Sequence, residues 1–297
     1  MEIAFSKIAR ASLRSALRAP VARWKRWREP ALASRTKYPL AVCAIFREEA
    51  PFLDEWLAFH AGLGVTHFYL YNNFSTDNFR EVLQPWQAAD LVTLTEWPVA
   101  VGQLSAYRDC LRRFKKSARW IAFIDVDEFL FATGGQSLPR VLENFAGRPG
   151  IEVWQIFFGA NGHLQRPAAP VTEAFTRCAP PSQTTVKTIA NPRLAYKVGV
   201  HQSKFWIGHA QDTAGQTAGR SITPVFDVLR INHYWSRSLD DLQTKIRRGD
   251  ASSAAARDAD WHLKFECGLN DHEDLTIQPI AQAIHQSRKK NKRHETA

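Results

Sequence analysis

From residue 38 onward, short apolar runs alternate with stretches of helical periodicity, the pattern of an α/β sheet. Leu40 to Phe46 is a continuous apolar run of strand length. Pro51 then opens a helix in which Phe52, Trp56, Phe59 and Leu63 recur at helical spacing, with Gly64 placed to cap its end. His67 to Tyr71 predicts a second strand. It runs into a turn-rich cluster, Asn72 to Asp77, whose Ser, Thr and Asp are suited to cap a helix starting near Phe79. Leu91 to Thr95 predicts a third strand, Gln103 to Phe114 a helix, and Trp120 to Ile124 a fourth strand that ends on acidic residues. Beyond residue 150 the pattern weakens. Ile151 to Phe158 and Val225 to Asn232 predict strands, Gly159 to Gly162 a turn, residues 168–182 and 209–220 loops, and Ser238 to Arg248 a short capped helix.

At 297 residues the chain is long enough for a sizeable core. Its four cysteines, Cys43, Cys110, Cys178 and Cys267, are scattered without metal-ligand spacing, which fits reduced thiols. No apolar run is long enough to span a membrane and no signal-peptide core precedes the domain, so a cytoplasmic protein is expected.

The formal charge of +10 first points to nucleic acid, but residues 1–37 carry +8 and residues 288–297 carry +4, which leaves residues 38–287 at −2. A nucleic-acid-binding domain carries its basic surface on the folded body, so that partner is excluded. The chain divides into a basic N-terminal segment (1–37), one α/β domain (38–287) and a basic C-terminal tail (288–297). In the first segment Phe5, Ile8, Leu13 and Leu17 are interleaved with Lys7, Arg10, Arg14 and Arg18, the pattern of a helix lying on an anionic membrane surface. A basic leader broken at Pro20 is the alternative.

Candidate chemistry centres on Ile121 to Phe131, IAFIDVDEFLF. Residues two apart on an extended segment face the same side, so Asp125 and Asp127 can converge on one ion. They follow a strand, where open α/β sheets bind ligands. Hard carboxylate oxygens suit Mg²⁺ or Mn²⁺, which takes its remaining ligands from water and substrate phosphates. Gln103, Tyr107 and Arg108 stand at i, i+4 and i+5 on one helix, close enough to face the same cleft, and Arg108 offers a phosphate contact.

These segments carry a family resemblance. AVCAIFREEAPFLDEWLAFHAGLGVTHFYLYNN, the Gln103 to Cys110 helix, RWIAFIDVDEFLF, KTIANPRLAYKVGVH and INHYWSRSLDDLQTKIRRG span about two hundred residues in order. Together they resemble glycosyltransferase family 92 and bacterial family 2-like glycosyltransferases. The resemblance implies a GT-A-like fold, an open twisted mixed sheet flanked by helices in a single nucleotide-sugar-binding domain. It also implies transfer of a hexose, with inversion, from a UDP-sugar to a glycan or glycolipid acceptor in bacterial surface polysaccharide synthesis at the inner membrane.

The resemblance assigns roles as well. Arg47, Glu48 and Glu49 follow the first strand, where the nucleotide base is received. Asn72 and Asn73 replace the leading acids of the DDGSTD-type loop, and an Asn can still hydrogen-bond a base edge. Lys187 neutralises the diphosphate. His233 is the favoured third metal ligand with His201 as its rival, and Tyr234 and Trp235 are suited either to stack on a sugar or to be buried. The general base that inversion needs is sought among Glu173, Asp227 and Glu128. Competing expectations are a nucleotide-sugar hydrolase or nucleotidyltransferase using the same carboxylates, and a non-enzymatic basic protein on a membrane surface.

Overall fold

The computed structural model describes residue 29 and residues 35–181, 185–217, 223–249, 251 and 258–295. The N-terminal pattern proposed to lie on a membrane falls outside them. Four parallel strands form one half of the sheet in the order β3 (Val92–Glu96), β2 (His67–Asn72), β1 (Tyr38–Phe46), β4 (Ala118–Phe123). The chain then turns and returns as β5 (Glu128–Ala132), a strand the sequence pattern marked only as an apolar run. Next to β4 the sheet continues through antiparallel β8 (Val186–Ala190) to β6 (Gly150–Phe158). β9 (Ala195–Lys197) and β10 (Lys204–Phe205) form a separate antiparallel pair, and β11 (Leu229–Tyr234) pairs in parallel with β6 and antiparallel with β5. The carboxyl ends of β1, β2, β3, β4, β6 and β11 therefore lie along one edge, and β8, running the other way, starts there.

The central strand is buried on both faces, which is why it is apolar throughout. Leu40, Val42, Ala44 and Phe46 pack into one core with helix α1 (Ala50–Gly62) and helix α2 (Phe79–Ala88). Ala41, Cys43 and Ile45 pack into the other with Ala106, Tyr107 and Cys110 of helix α3 (Gln103–Phe114). The expected mixed α/β sheet flanked by helices is the observed architecture.

Several local expectations change. α1 ends as expected: Gly64 has φ +91°, and the Gly64 and Val65 amides donate to the Ala61 and His60 carbonyls. The Asn72 to Asp77 cluster does more than lead into α2, whose N-cap residue is Asn78. Ser75 accepts from the Glu48 amide, Thr76 donates to the Glu48 carboxylate and Asp77 accepts from the Ala50 amide, so the cluster ties the β2 turn to the β1 turn. Residues 225–228 precede β11 instead of starting it, because the strand is set by pairing with β5 and β6. The stretch 168–182 contains helix α5 (Val171–Ala174) and strand β7 (Arg177–Cys178). Short helix α4 (Leu138–Glu143) was not anticipated.

The boundary expected at residue 288 falls inside helix α8 (Gln278–Glu295). Ala281 of this helix is fully buried, and a Cβ on Gly62 of α1 would meet Ile284 at 2.8 Å. Arg288 forms a bidentate pair with Asp54 of α1, both bonds at 2.7 Å. The basic residues thus begin on a docked helix. Near the opposite end of the chain, Glu29 binds Arg193 at 2.8 Å and Arg119 at 3.1 Å. Among the described residues no helix is long and apolar enough to cross a membrane.

Candidate active site

The carboxyl-terminal edge of the sheet carries a cleft of about 280 Å³. Asp125, Asp127 and Glu128 enter it from the β4–β5 turn, Lys187 from the start of β8, and His233 and Trp235 from the end of β11. Helix α6 (Leu239–Arg248), capped by Ser238 accepting from the Asp241 amide, adds Lys245 and Arg248. The sequence pattern predicted this helix and its cap but not its role. The available signal was the i, i+3 spacing of Lys245 and Arg248 on a helix whose buried side is marked by Leu242.

The two aspartates have separate partners. Asp125 accepts from Lys187 Nζ at 2.5 Å, Gln103 Nε2 at 2.7 Å and Tyr107 Oη at 3.1 Å. Asp127 accepts from Lys245 Nζ at 2.5 Å and lies 3.5 Å from His233 Nε2. Glu128 is fully buried. It accepts from Gln155 Nε2 at 2.5 Å and the Asp125 amide at 3.0 Å, with Lys187 Nζ at 3.2 Å and His233 Nδ1 at 3.4 Å. Burial raises the Asp127 carboxyl, but Lys245 and His233 outweigh it and hold the group well below the usual carboxylate range. For Glu128 burial wins over Lys187 and, with Asp125 adding to it, pushes the carboxyl up. Burial disfavours the charged Lys187, yet the carboxylates of Asp125 and Glu128 reverse that and raise it.

Asp127, Glu128 and His233 bring donor atoms within 4.8 Å of one another. His233 Nδ1 is buried without a hydrogen-bond partner, as expected of an imidazole that has a further ligand to meet. Two carboxylates and an imidazole fit Mn²⁺ or Mg²⁺. Glu128, sought as a base, stands with Asp127 and His233 in this group, whereas Asp125, expected to converge with Asp127, is turned to Lys187, Gln103 and Tyr107.

The remaining candidates divide. Arg47, Glu49, Asn73, Gln103 and His201 line the cleft. Glu49 is held by Arg237 Nη1 at 2.6 Å and Arg248 Nη2 at 2.5 Å; burial raises it, but the two guanidiniums leave it below its ordinary pKa. Asn73 Nδ2 donates to the Trp97 and Val99 carbonyls, and Asn72 Nδ2 to Glu96 Oε2 at 2.7 Å, so both shape the loop after β2. Glu48 serves that loop too. His201 stands at the cleft rim, with Nδ1 3.3 Å from the Val186 carbonyl oxygen and outside the acidic group.

Three expectations fail. Arg108 is exposed and does not line the cleft, because a residue at i+5 is turned about 140° from i whereas Tyr107 at i+4 is not. Glu173 on α5 faces α8, 3.2 Å from His285 Nδ1. Asp227 lies before β11 at the other end of that strand, its carbonyl accepting from Thr133. Neither carboxylate reaches the cleft.

Two residues of α1 hold the acidic turn from the opposite side of its strand. Trp56 Nε1 donates to the Glu128 carbonyl at 2.8 Å, and His60 Nε2 accepts from the Leu130 amide at 3.0 Å while Nδ1 faces the Trp56 carbonyl at 2.8 Å. That bonding uses neutral imidazole, and burial lowers His60 to about 4. The unfolded chain takes up this proton below about pH 6.5 and the folded chain only near 4, so His60 stabilises the fold above 6.5 and that contribution falls through this window. Acid unfolding of the wild type should be steeper between pH 6.5 and 4 than that of His60→Gln, by up to about 3 kcal/mol at the acid end. Identical pH profiles would refute this.

An open α/β edge with paired carboxylates, an imidazole and facing lysines defines a nucleotide-binding type of cleft. The sequence matches glycosyltransferase family 92 over residues 38–261, and the chain belongs to that family. A family 92 protein of Oryza sativa subsp. japonica is 34% identical over 86% of this chain and 42% of its own length. A galactan beta-1,4-galactosyltransferase of Arabidopsis thaliana is 31% identical over 32% of this chain and 21% of its own. The chain thus spans less than half the length of these relatives. Among solved structures, S. aureus TarS in complex with UDP is similar at a TM-score of 0.37 and 12% identity, covering 52% of this chain and 47% of that one. The curated relatives named here are plant proteins and lend no support to a bacterial setting.

Proposed function

We propose that the protein transfers a hexose, galactose first among the candidates, from a UDP-sugar to a glycan or glycolipid acceptor in a reaction that needs Mn²⁺ or Mg²⁺. The observation that carries this reading is the acidic and imidazole group of Asp127, Glu128 and His233, set between Lys187 and Lys245 at the sheet edge. A divalent cation bound there supplies Lewis-acid neutralisation of the departing diphosphate. The chain's own residues do the rest. Lys187 and Lys245 place two further positive charges where negative charge develops on the leaving group. Gln103 and Tyr107 fix Asp125, which fixes Lys187. Arg47 and Asn73 border the part of the cleft over β1 and β2, the place proposed for the nucleotide base.

The similarity to a galactan beta-1,4-galactosyltransferase supports both galactose and inversion, since an α-linked sugar nucleotide gives a β-linked product only by inverting. The charge of residues 1–37 supports a place at an anionic membrane surface on its cytoplasmic side.

The test is release of UDP from UDP-galactose, with UDP-glucose, GDP-mannose and CMP-sialic acid as comparisons, with and without β-1,4-galactan oligosaccharides and in Mn²⁺, Mg²⁺ or chelator. Cation-dependent, acceptor-stimulated release is expected. Release indifferent to every acceptor would favour a nucleotide-sugar hydrolase, and no release from any donor would defeat the proposal.

A further inference from the structure

The cleft continues outward as an aromatic surface. Trp235, half-buried beside His233, receives the Lys245 ammonium 4.3 Å from its ring centroid. Helix α7 (Ala259–Cys267) places two more rings against it: Trp261 at 6.2 Å and 74°, and Phe265 at 5.2 Å and 74°. Trp261 and Phe265, one helical turn apart, stack on each other at 5.1 Å and 7°. Phe265 in turn meets Phe157, which lines the cleft, at 5.6 Å. Half of Trp261 is exposed, with Phe265 stacked on its indole. A scattered exposed apolar side chain needs no explanation, but a stacked group running without a break into a polar cleft marks a binding surface. Exposed Asp258 and Asp260 stand next to it in sequence.

We propose that Trp235, Trp261 and Phe265 form an aromatic path that binds the acceptor as a chain of β-linked pyranoses. The assignment rests on the glycosyltransferase reading above. Position along the sheet separates the two substrates. The parallel strands β1, β2 and β3 lie on one side of the β4 carboxylates, where the nucleotide is placed, whereas Phe157 and Trp235 come from β6 and β11 on the other side. The path starts beside the cation-holding group and leads away from the nucleotide half.

The chemistry matches a glycan better than another apolar ligand. A pyranose presents a face of C–H groups to an indole while its equatorial hydroxyls reach outward to carboxylates and water. Trp261 is placed to carry a sugar unit beyond the one that reacts, while Trp235, with Lys245 over its ring and His262 stacked on it, backs the path where it meets the cleft. Binding therefore strengthens with acceptor length.

The test compares wild type, Trp261→Ala and Trp261→Phe, with β-1,4-galactopentaose, cellopentaose and β-1,4-galactobiose as probes. Trp261→Ala should raise KM for a pentaose about tenfold and leave KM for UDP-galactose, acceptor-free UDP release and the galactobiose KM unchanged. Trp261→Phe should recover most of the loss. An unchanged pentaose KM, or an equal loss on the donor, overturns the proposal. Titration of each protein with the pentaoses, followed by indole fluorescence, gives a second readout that needs no turnover. Quenching that requires Trp261 supports the path. Quenching by neither pentaose, or quenching retained in Trp261→Ala, overturns it. Failure of UDP release with intact pentaose binding would count against the donor reading alone.

Discussion

Asp127→Asn is expected to lower sugar transfer roughly 100- to 1,000-fold while the chain stays folded. The substitution preserves size and hydrogen-bonding capacity, so the turn between β4 and β5 has no steric reason to move. It removes the charge that Lys245 and His233 hold ionised, and with it one of the two carboxylates able to face a cation. Lys245 keeps the Trp235 carbonyl at 2.9 Å and the Trp235 ring as partners, which limits the structural cost. The decisive measurements are turnover across a range of Mn²⁺ concentrations and cation binding by calorimetry. Activity above a tenth of wild type, or unaltered cation binding, would sink the assignment of Asp127. Asp125→Asn provides a contrast, because Asp125 is engaged by Lys187, Gln103 and Tyr107. Its loss should weaken the donor more than the cation.

The second large effect is on stability. Lys187→Met leaves Asp125 and the fully buried Glu128 facing each other without their cation, a loss expected to cost about 3–5 kcal/mol. Burial already raises Glu128, and removing Lys187 raises it further, so the folded variant holds a proton that the unfolded chain releases near 4.5. Its stability should therefore fall as pH rises above that value, until the folded pKa is passed. Adding Glu128→Gln should restore a large part of the loss, since the uncompensated charge goes with it. Simple additivity of the two substitutions in denaturant unfolding would show that Lys187 acts through some other contact.

The parallel half of the sheet was legible because β1 is an uninterrupted apolar run, β2 and β4 are largely apolar, and the helices between them have regular faces. β1, β2, β4 and α3 lie within about two residues of where the pattern placed them, the usual scatter at element ends. The second half resisted for a physical reason. β5, β8 and β11 are held by partners distant in sequence, so burial there depends on neighbours that no local period reveals. The site follows the same division. Asp125 and Asp127 stand out as charges between two apolar strands and Lys187 as one inside a strand, but their pairing does not stand out. Alternation along an extended segment suggested one ion for both aspartates, and the turn instead aims Asp127 with Glu128 toward His233. Glu173 and Asp227 were attractive only as acids in the weakly patterned region, and neither carries a burial signal. Lys245 and Arg248 read as ordinary helix charges, although Lys245 shares the side marked by Leu242. They face the cleft because α6 docks with that side over the sheet edge.

Besides β1 and α2, helix α1 contacts two elements that bear on the site. α8 closes against it through Ile284 at Gly62 and Arg288 at Asp54, and on the opposite flank Trp56 and His60 grip the strand that carries Glu128. Helix α8 and the acidic turn are thus joined through α1, which serves as a strut. Fusions, affinity tags or proteolytic trimming after residue 277 would act on that strut, and a preparation clipped there could keep its sheet while losing the alignment of its acids. Comparing donor turnover in intact and trimmed protein would make the C-terminus a handle on chemistry performed at the far end of the strand.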